Sequence, residues 1–147
     1  MATTIYDDAA RAALLRRLDA LRPEQAPRWG RMHAPQMVTH LIEAYRMPSG
    51  ELQMKRVAMP LRPLVRWLML YLLPFPKGAP TARELLARVP DSWEADVATL
   101  RAAIAAATKP PAGARVGEHP LFGRMSVRDW GVLLYKHTDH HFRQFGI

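Results

Sequence analysis

Two histidines four residues apart, His137 and His141, lie in the stretch Ser126-Val-Arg-Asp-Trp-Gly-Val-Leu-Leu-Tyr-Lys-His-Thr-Asp-His-His-Phe-Arg-Gln-Phe-Gly146. An α-helix advances about 100° per residue, so a four-residue step returns both imidazoles to one face, one turn apart, at a spacing that can chelate a single metal ion. Helical projection places both rings within the stripe of Val127, Trp130, Leu133, Leu134 and Phe145, facing inward. Buried polar groups need partners, and a cation on unprotonated ring nitrogens satisfies both rings at once. Two protonated rings in a closed interior would repel. A lone inward histidine is ordinarily a core residue bonded to a backbone carbonyl; it is the stacked pair that points to a ligand set. His140 projects about 60° away from His137 and flanks the pair.

Metal sites that keep a position open for water or substrate commonly use three protein ligands, so the pair calls for one more donor. His40 lies in the middle of an apolar helical segment, whereas His33 and His119 neighbour Pro35 and Pro120 in connecting segments, where local loop contacts are expected. The predicted ligand set is therefore His40, His137 and His141. His40 projects toward the edge of its stripe, nearer Met37 and Ala44 than the centre, which implies a site at the mouth of the fold. Gln36 and Glu43, one turn before and after His40, are candidates to orient a ring or a bound water, although such residues are more often ordinary exposed side chains. Asp139 projects away from the histidine face and receives no site role. Imidazole donors suit zinc or nickel first, with iron also accommodated. Affinity should fall as pH drops through roughly 6.5, where free imidazole protonates.

Four long segments carry a helical period and must position these groups. The first runs from about Asp7 to Arg22, with Leu14, Leu18 and Leu21 on one face and Leu15 beside them, and Pro23 limits it. The second opens at Ala34-Pro35, carries Met37, Val38, Leu41, Ile42 and Tyr45, and stops at Pro48-Ser-Gly50. The third opens at Asp91-Ser-Trp-Glu94, where Asp91 and Glu94 are expected to cap reciprocally, and it ends at Lys109-Pro-Pro-Ala-Gly113. The fourth opens at Ser126-Val-Arg-Asp129 with the same arrangement. Between the second and third, Leu64 to Leu73 reads as a short buried helix, with an interfacial or dimer-contact role as the lesser reading, and Thr81-Ala-Arg-Glu84 begins another short helix. No alternating strand pattern stands out. The prediction is an all-α four-helix bundle, one domain over residues 1–147, with short helices inserted between the second and third long ones.

The chain of 147 residues is 49% hydrophobic, enough for one real core. It contains no cysteine, which excludes disulfides, thiolate ligands and a cysteine nucleophile. The Leu64 to Leu73 run is far short of the roughly 20 residues a membrane span needs, and Arg66 interrupts it. The opening residues do not read as a secretion signal, so a cytoplasmic location is expected. The net charge of +8 favours anionic partners, but the basic residues are scattered and lack nucleic-acid motifs, so nucleic acid is not the expected partner.

Four stretches resemble a bacterial family of unknown function, number 1569 among such domains, within the DinB/YfiT-like superfamily. They are Trp29-Gly-Arg-Met-His-Ala-Pro-Gln-Met-Val-Thr-His40, Pro74-Phe-Pro-Lys-Gly-Ala-Pro-Thr81, His119-Pro-Leu-Phe-Gly-Arg-Met-Ser126 and Lys136-His-Thr-Asp-His-His-Phe-Arg-Gln-Phe-Gly146. The resemblance implies a four-helix bundle with a metal held by one histidine of the second helix and two residues four apart on the fourth, positions that correspond to His40, His137 and His141. For some superfamily members it also implies metal-dependent transfer of a low-molecular-weight thiol, with isomerase or hydrolase activity elsewhere.

The leading expectation is a mononuclear metal-dependent enzyme, a thiol transferase or hydrolase acting on a small substrate. Two other classes compete: a non-catalytic, metal-stabilised binding or stress-response module, and a nucleic-acid binder suggested only by the charge. A homodimer through Leu64 to Leu73 is a further candidate arrangement.

Overall fold

The computed structural model describes residues 1–109 and 117–147. In chain order it contains α1 (Asp8–Asp19), α2 (Ala34–Tyr45), α3 (Arg62–Trp67) continuing into a π-helical turn (Leu68–Leu72), a 3-10 turn (Arg83–Leu86), α4 (Trp93–Ala106), an antiparallel ribbon of β1 (Glu118–His119) and β2 (Gly123–Arg124), and α5 (Val127–Gln144). The chain is mostly helical, and its four long helices, α1, α2, α4 and α5, fall on the four predicted periodic segments. The ribbon pairs two residues with two, too few for any alternation of polarity to register in the sequence.

Helix α2 is buried on nearly every side. Met37 through Ala44 are all inaccessible, because α4, α5 and the 3-10 turn pack around it. Helix α1 packs on α4 and α5. The main core gathers Leu14, Leu18, Met37, Leu41, Leu100, Ile104 and Phe142, each contributing about 1.5–3 kcal/mol by leaving water. A second cluster of Ala44, Met47, Leu70, Phe122, Trp130 and Leu133 attaches the π turn and the ribbon segment to α2 and α5. Tyr45 of α2 and Thr138 of α5 hydrogen-bond through their hydroxyls at 3.1 Å, fixing the register between the two helices.

Helix ends follow local chemistry, with some departures from expectation. Asp7 caps α1 by accepting from the amides of Ala9 and Ala10, and the helix ends at Asp19, three residues before Arg22. The cap of α4 is Ser92, whose hydroxyl accepts from Ala95 N; the Asp91 and Glu94 side chains do not cap reciprocally, and Asp91 instead donates its amide to buried Asp96 at 3.1 Å. Helix α4 closes at Ala106, and the Pro110–Gly113 part of its expected stop lies outside the described residues. The Ser126 and Asp129 box of α5 forms as expected.

The expectation that Leu64 to Leu73 is buried is corrected. Within it Leu70 is buried, while Leu64, Trp67, Leu72 and Leu73 lie exposed, because α3 and the π turn cover the second cluster from outside with one face only. No helix among the described residues is long and apolar enough to cross a membrane.

The N-terminal segment meets α5 at a turn closed by Asp7 N donating to the Thr4 carbonyl at 3.2 Å. Ile5 N donates to the Gly131 carbonyl at 2.9 Å, and the Tyr6 ring lies so close that a Cβ on Gly131 would come within 2.4 Å of it.

Candidate metal centre

Helix α5 carries His137 and His141 one turn apart, and α2 brings His40 against both. The Nε2 of His137 lies 2.9 Å from the Nε2 of His40 and 3.1 Å from that of His141. The three rings meet edge to face, with centroids 4.7 to 4.8 Å apart, so nitrogens rather than ring faces converge. His40 and His141 are buried and His137 is half-buried. The implied position of His40 at a mouth is therefore corrected. A stripe edge lies near water only on a helix with one wet side, and α2 has almost none.

The sequence did not single out Gln144, yet it completes the site. Gln144 Nε2 donates to the Trp29 carbonyl at 2.9 Å, which turns its Oε1 toward His141 Nδ1 at 2.7 Å. A carboxamide oxygen only accepts, so the proton of neutral His141 sits on Nδ1 and the Nε2 lone pair points into the cluster. Its signal in the sequence was present: residue 144 stands three beyond His141 on the same helical face.

Burial holds all three rings unprotonated at neutral pH. It pushes His40 down to about 4 and His141 to about 3, and holds His137 well below the ordinary imidazole value, with mutual repulsion among the rings adding to the effect. The neutral cluster cannot satisfy itself. A neutral imidazole has one N–H, so His137 Nε2 can donate fully to only one of the two nitrogens facing it, and His40 Nδ1 is buried with no hydrogen-bond partner. A cation accepting three Nε2 lone pairs removes the competition at His137, with the proton of each ring then on Nδ1. For nitrogens about 2.1 Å from an ion, neighbouring donors stand about 3.0 Å apart at right angles and about 3.4 Å apart at the tetrahedral angle; the two spacings from His137 Nε2, 2.9 and 3.1 Å, lie near the first, and all three ligand atoms fall within 4.8 Å of one another. The residues present fit a divalent ion, and among the described residues this is the grouping of histidine and carboxylate side chains that could hold one.

The other candidates are placed elsewhere. Gln36 does not reach His40: its Oε1 accepts from His33 N while its own amide donates to His33 Nδ1, a capping box that starts α2. Glu43 is buried rather than exposed and binds Arg46 at 2.8 Å and Arg88 at 2.6 Å. It borders a depression of about 450 Å³ with Arg46, Leu52 and Arg88, away from the imidazoles. His119 makes the local contact expected of it, with Nδ1 accepting from Leu121 N and Phe122 N at 3.2 Å and its ring stacked on Phe122. Asp139 pairs with Arg17 and Arg143. His140 stands at the rim, its ring 5.5 Å from Trp29 and 6.0 Å from Phe75, and Lys77 lies over the Trp29 ring.

No family model, curated protein or solved structure matches the chain. Function must therefore be read from the site.

Proposed function

We propose that the chain is a mononuclear metal-dependent protein of the DinB-like type, with α1, α2, α4 and α5 as its four-helix bundle and His40, His137 and His141 as the ligands. The observation that carries this reading is the convergence of three neutral imidazoles from two helices, the Nε2 atoms of His40 and His141 lying 2.9 and 3.1 Å from that of His137. Zinc or nickel suits the donor set best, and iron is accommodated. A divalent ion bound there supplies a Lewis acid that lowers the pKa of a water or thiol in the remaining position, consistent with a hydrolase or thiol transferase acting on a small substrate.

The chain's own part is preparation. Gln144 fixes the tautomer and tilt of His141. Tyr45 and Thr138 hold α2 in register with α5. Burial keeps the nitrogens free of protons, so an ion binds at neutral pH with little competition from hydrogen ions. The Phe75 ring stands 6.2 Å from that of His137, centroid to centroid, and limits the water that reaches the cluster. With no cysteine in the chain, any sulfur nucleophile belongs to a cosubstrate.

The deciding experiment is metal analysis of untagged protein, followed by screens for thiol consumption and ester hydrolysis. One ion per chain, lost in His137→Ala and His141→Ala along with turnover, is expected. Unchanged metal content in those variants would overturn the ligand assignment. One ion per chain, with chelation lowering the melting temperature but no turnover of any panel member, would identify the metal-stabilised, non-catalytic module instead.

A further inference from the structure

Helix α3 and its π turn are apolar on two opposite faces. The inner one, Val65, Met69, Leu70 and Tyr71, packs into the second core cluster. The outer one stands in solvent: Leu61 is 73% exposed, Leu64 50%, Trp67 52% and Leu72 63%. Leu64 and Trp67 stand three apart on one side of α3, and Leu61, at its N-terminal cap, and Leu72, in the π turn, are exposed at its two ends. A helix that is hydrophobic all round normally has a partner on every side.

The surrounding charge indicates which partner. Between Glu51 and Glu84 the sequence holds six cationic residues, Lys55, Arg56, Arg62, Arg66, Lys77 and Arg83, and no acidic one. Glu118 pairs with Arg56 and Arg124, and Asp129 lies 3.9 Å from Arg66, but Lys55, Arg62 and Arg128 make no ion pair among the described residues. Apposing this face with a second copy of itself would bring like charges together around the apolar strip, at a cost. A surface of anionic headgroups over acyl chains matches both properties. Leucines and an indole enter the boundary, while the net positive charge of the same stretch of chain is drawn to phosphate.

We propose that the outer face of α3, built on Leu61, Leu64, Trp67 and Leu72, docks the protein peripherally on anionic phospholipid membranes. The segment is anchored for such a load. Lys136 of α5 donates to the carbonyls of Met69, Leu70 and Leu73 at 2.6 to 3.2 Å, clamping the end of the π turn to the helix that carries the site. Docking requires no metal, so this proposal stands or falls independently of the ligand assignment.

The test is flotation of the full chain with vesicles of phosphatidylcholine, with and without 30 mole per cent phosphatidylglycerol, at low and high salt. Binding is expected to the anionic vesicles only and to weaken with salt, and Trp67→Glu should reduce the partition constant at least tenfold. Leu64→Glu provides an independent second variant, and because both side chains are half exposed, melting temperatures should stay unchanged. Wild-type protein that ignores anionic vesicles would overturn the proposal. So would binding that both variants retain in full, which would leave charge alone as the cause. Sedimentation showing a dimer that Trp67→Glu converts to monomer, without vesicle binding, would assign the face to a second copy and equally overturn it.

Discussion

The Nε2 atoms of His40 and His137 stand 2.9 Å apart across α2 and α5, although 97 positions separate the two residues in the chain. Two neutral imidazoles facing nitrogen to nitrogen share at most one hydrogen bond, worth about 0.5–1.5 kcal/mol net. Packing of α2 against α5 holds them there, and the free energy spent on that placement is recovered when a ligand bridges them.

Zinc should therefore stabilise the metal-free protein. At a free concentration of about one hundred times its Kd, the gain is about 2.7 kcal/mol, or roughly 5–10 °C in melting temperature for a domain of this size. Calorimetry of chelator-treated protein with and without zinc checks it. An equal rise in His137→Ala would show that the ion binds somewhere else.

Gln144→Leu should weaken zinc binding about 10- to 100-fold, because His141 then loses the acceptor that fixes its proton on Nδ1. Leaving the Trp29 carbonyl and the ring without partners should also cost about 1–3 kcal/mol of stability. Gln144→Glu can still accept from His141 and should recover part of the affinity. Competition against a chelating dye measures all three proteins.

Glu43→Ala should destabilise without changing metal stoichiometry. It strands Arg46 and Arg88 beside a buried position, but both guanidinium groups are more than a third exposed and can turn to water, so a loss of about 1–3 kcal/mol is expected rather than the larger cost of a fully buried pair. Denaturant melts with parallel metal analysis separate the two readouts. Loss of the ion would place Glu43 in the site after all.

What the sequence disclosed and what it withheld follow from the range of the forces involved. Helical periods, the Ser126 cap and the four-residue spacing of His137 and His141 are local, and the structure shows each of them. His40 could be proposed because a histidine in the middle of an apolar helix has few other uses. The burial of Glu43 is not local, because it depends on Arg88, 45 residues away, meeting it. A polar residue near a helix end such as Gln144 is ordinary until the Trp29 carbonyl orients its amide. For α3, hydrophobic content does not reveal which of two apolar sides the core uses. The ribbon at Glu118 was too short to leave a pattern.

His119 should contribute a pH dependence of its own. Burial pushes it down to about 4, while in the unfolded chain it titrates near 6.5, so the unfolded state takes up the proton first. Its contribution is complete above pH 6.5 and is lost as pH falls toward 4, up to about 3 kcal/mol in all. Protonation at Nδ1 also ends its acceptance from the Leu121 and Phe122 amides. Denaturant unfolding of metal-free His119→Phe should show a shallower slope between pH 4 and 6.5 than the parent, and identical slopes would refute this.

A missing side chain governs how α5 sits. Because Gly131 admits the Tyr6 ring where any other residue would push it away, α5 settles at one rotation about its own axis. His137 lies six residues further along the same helix, so a turn of α5 about its axis would carry that ring relative to His40. A methyl group added at Gly131 would touch no ligand, yet it would act on the cluster as a twist applied to the shaft that bears it.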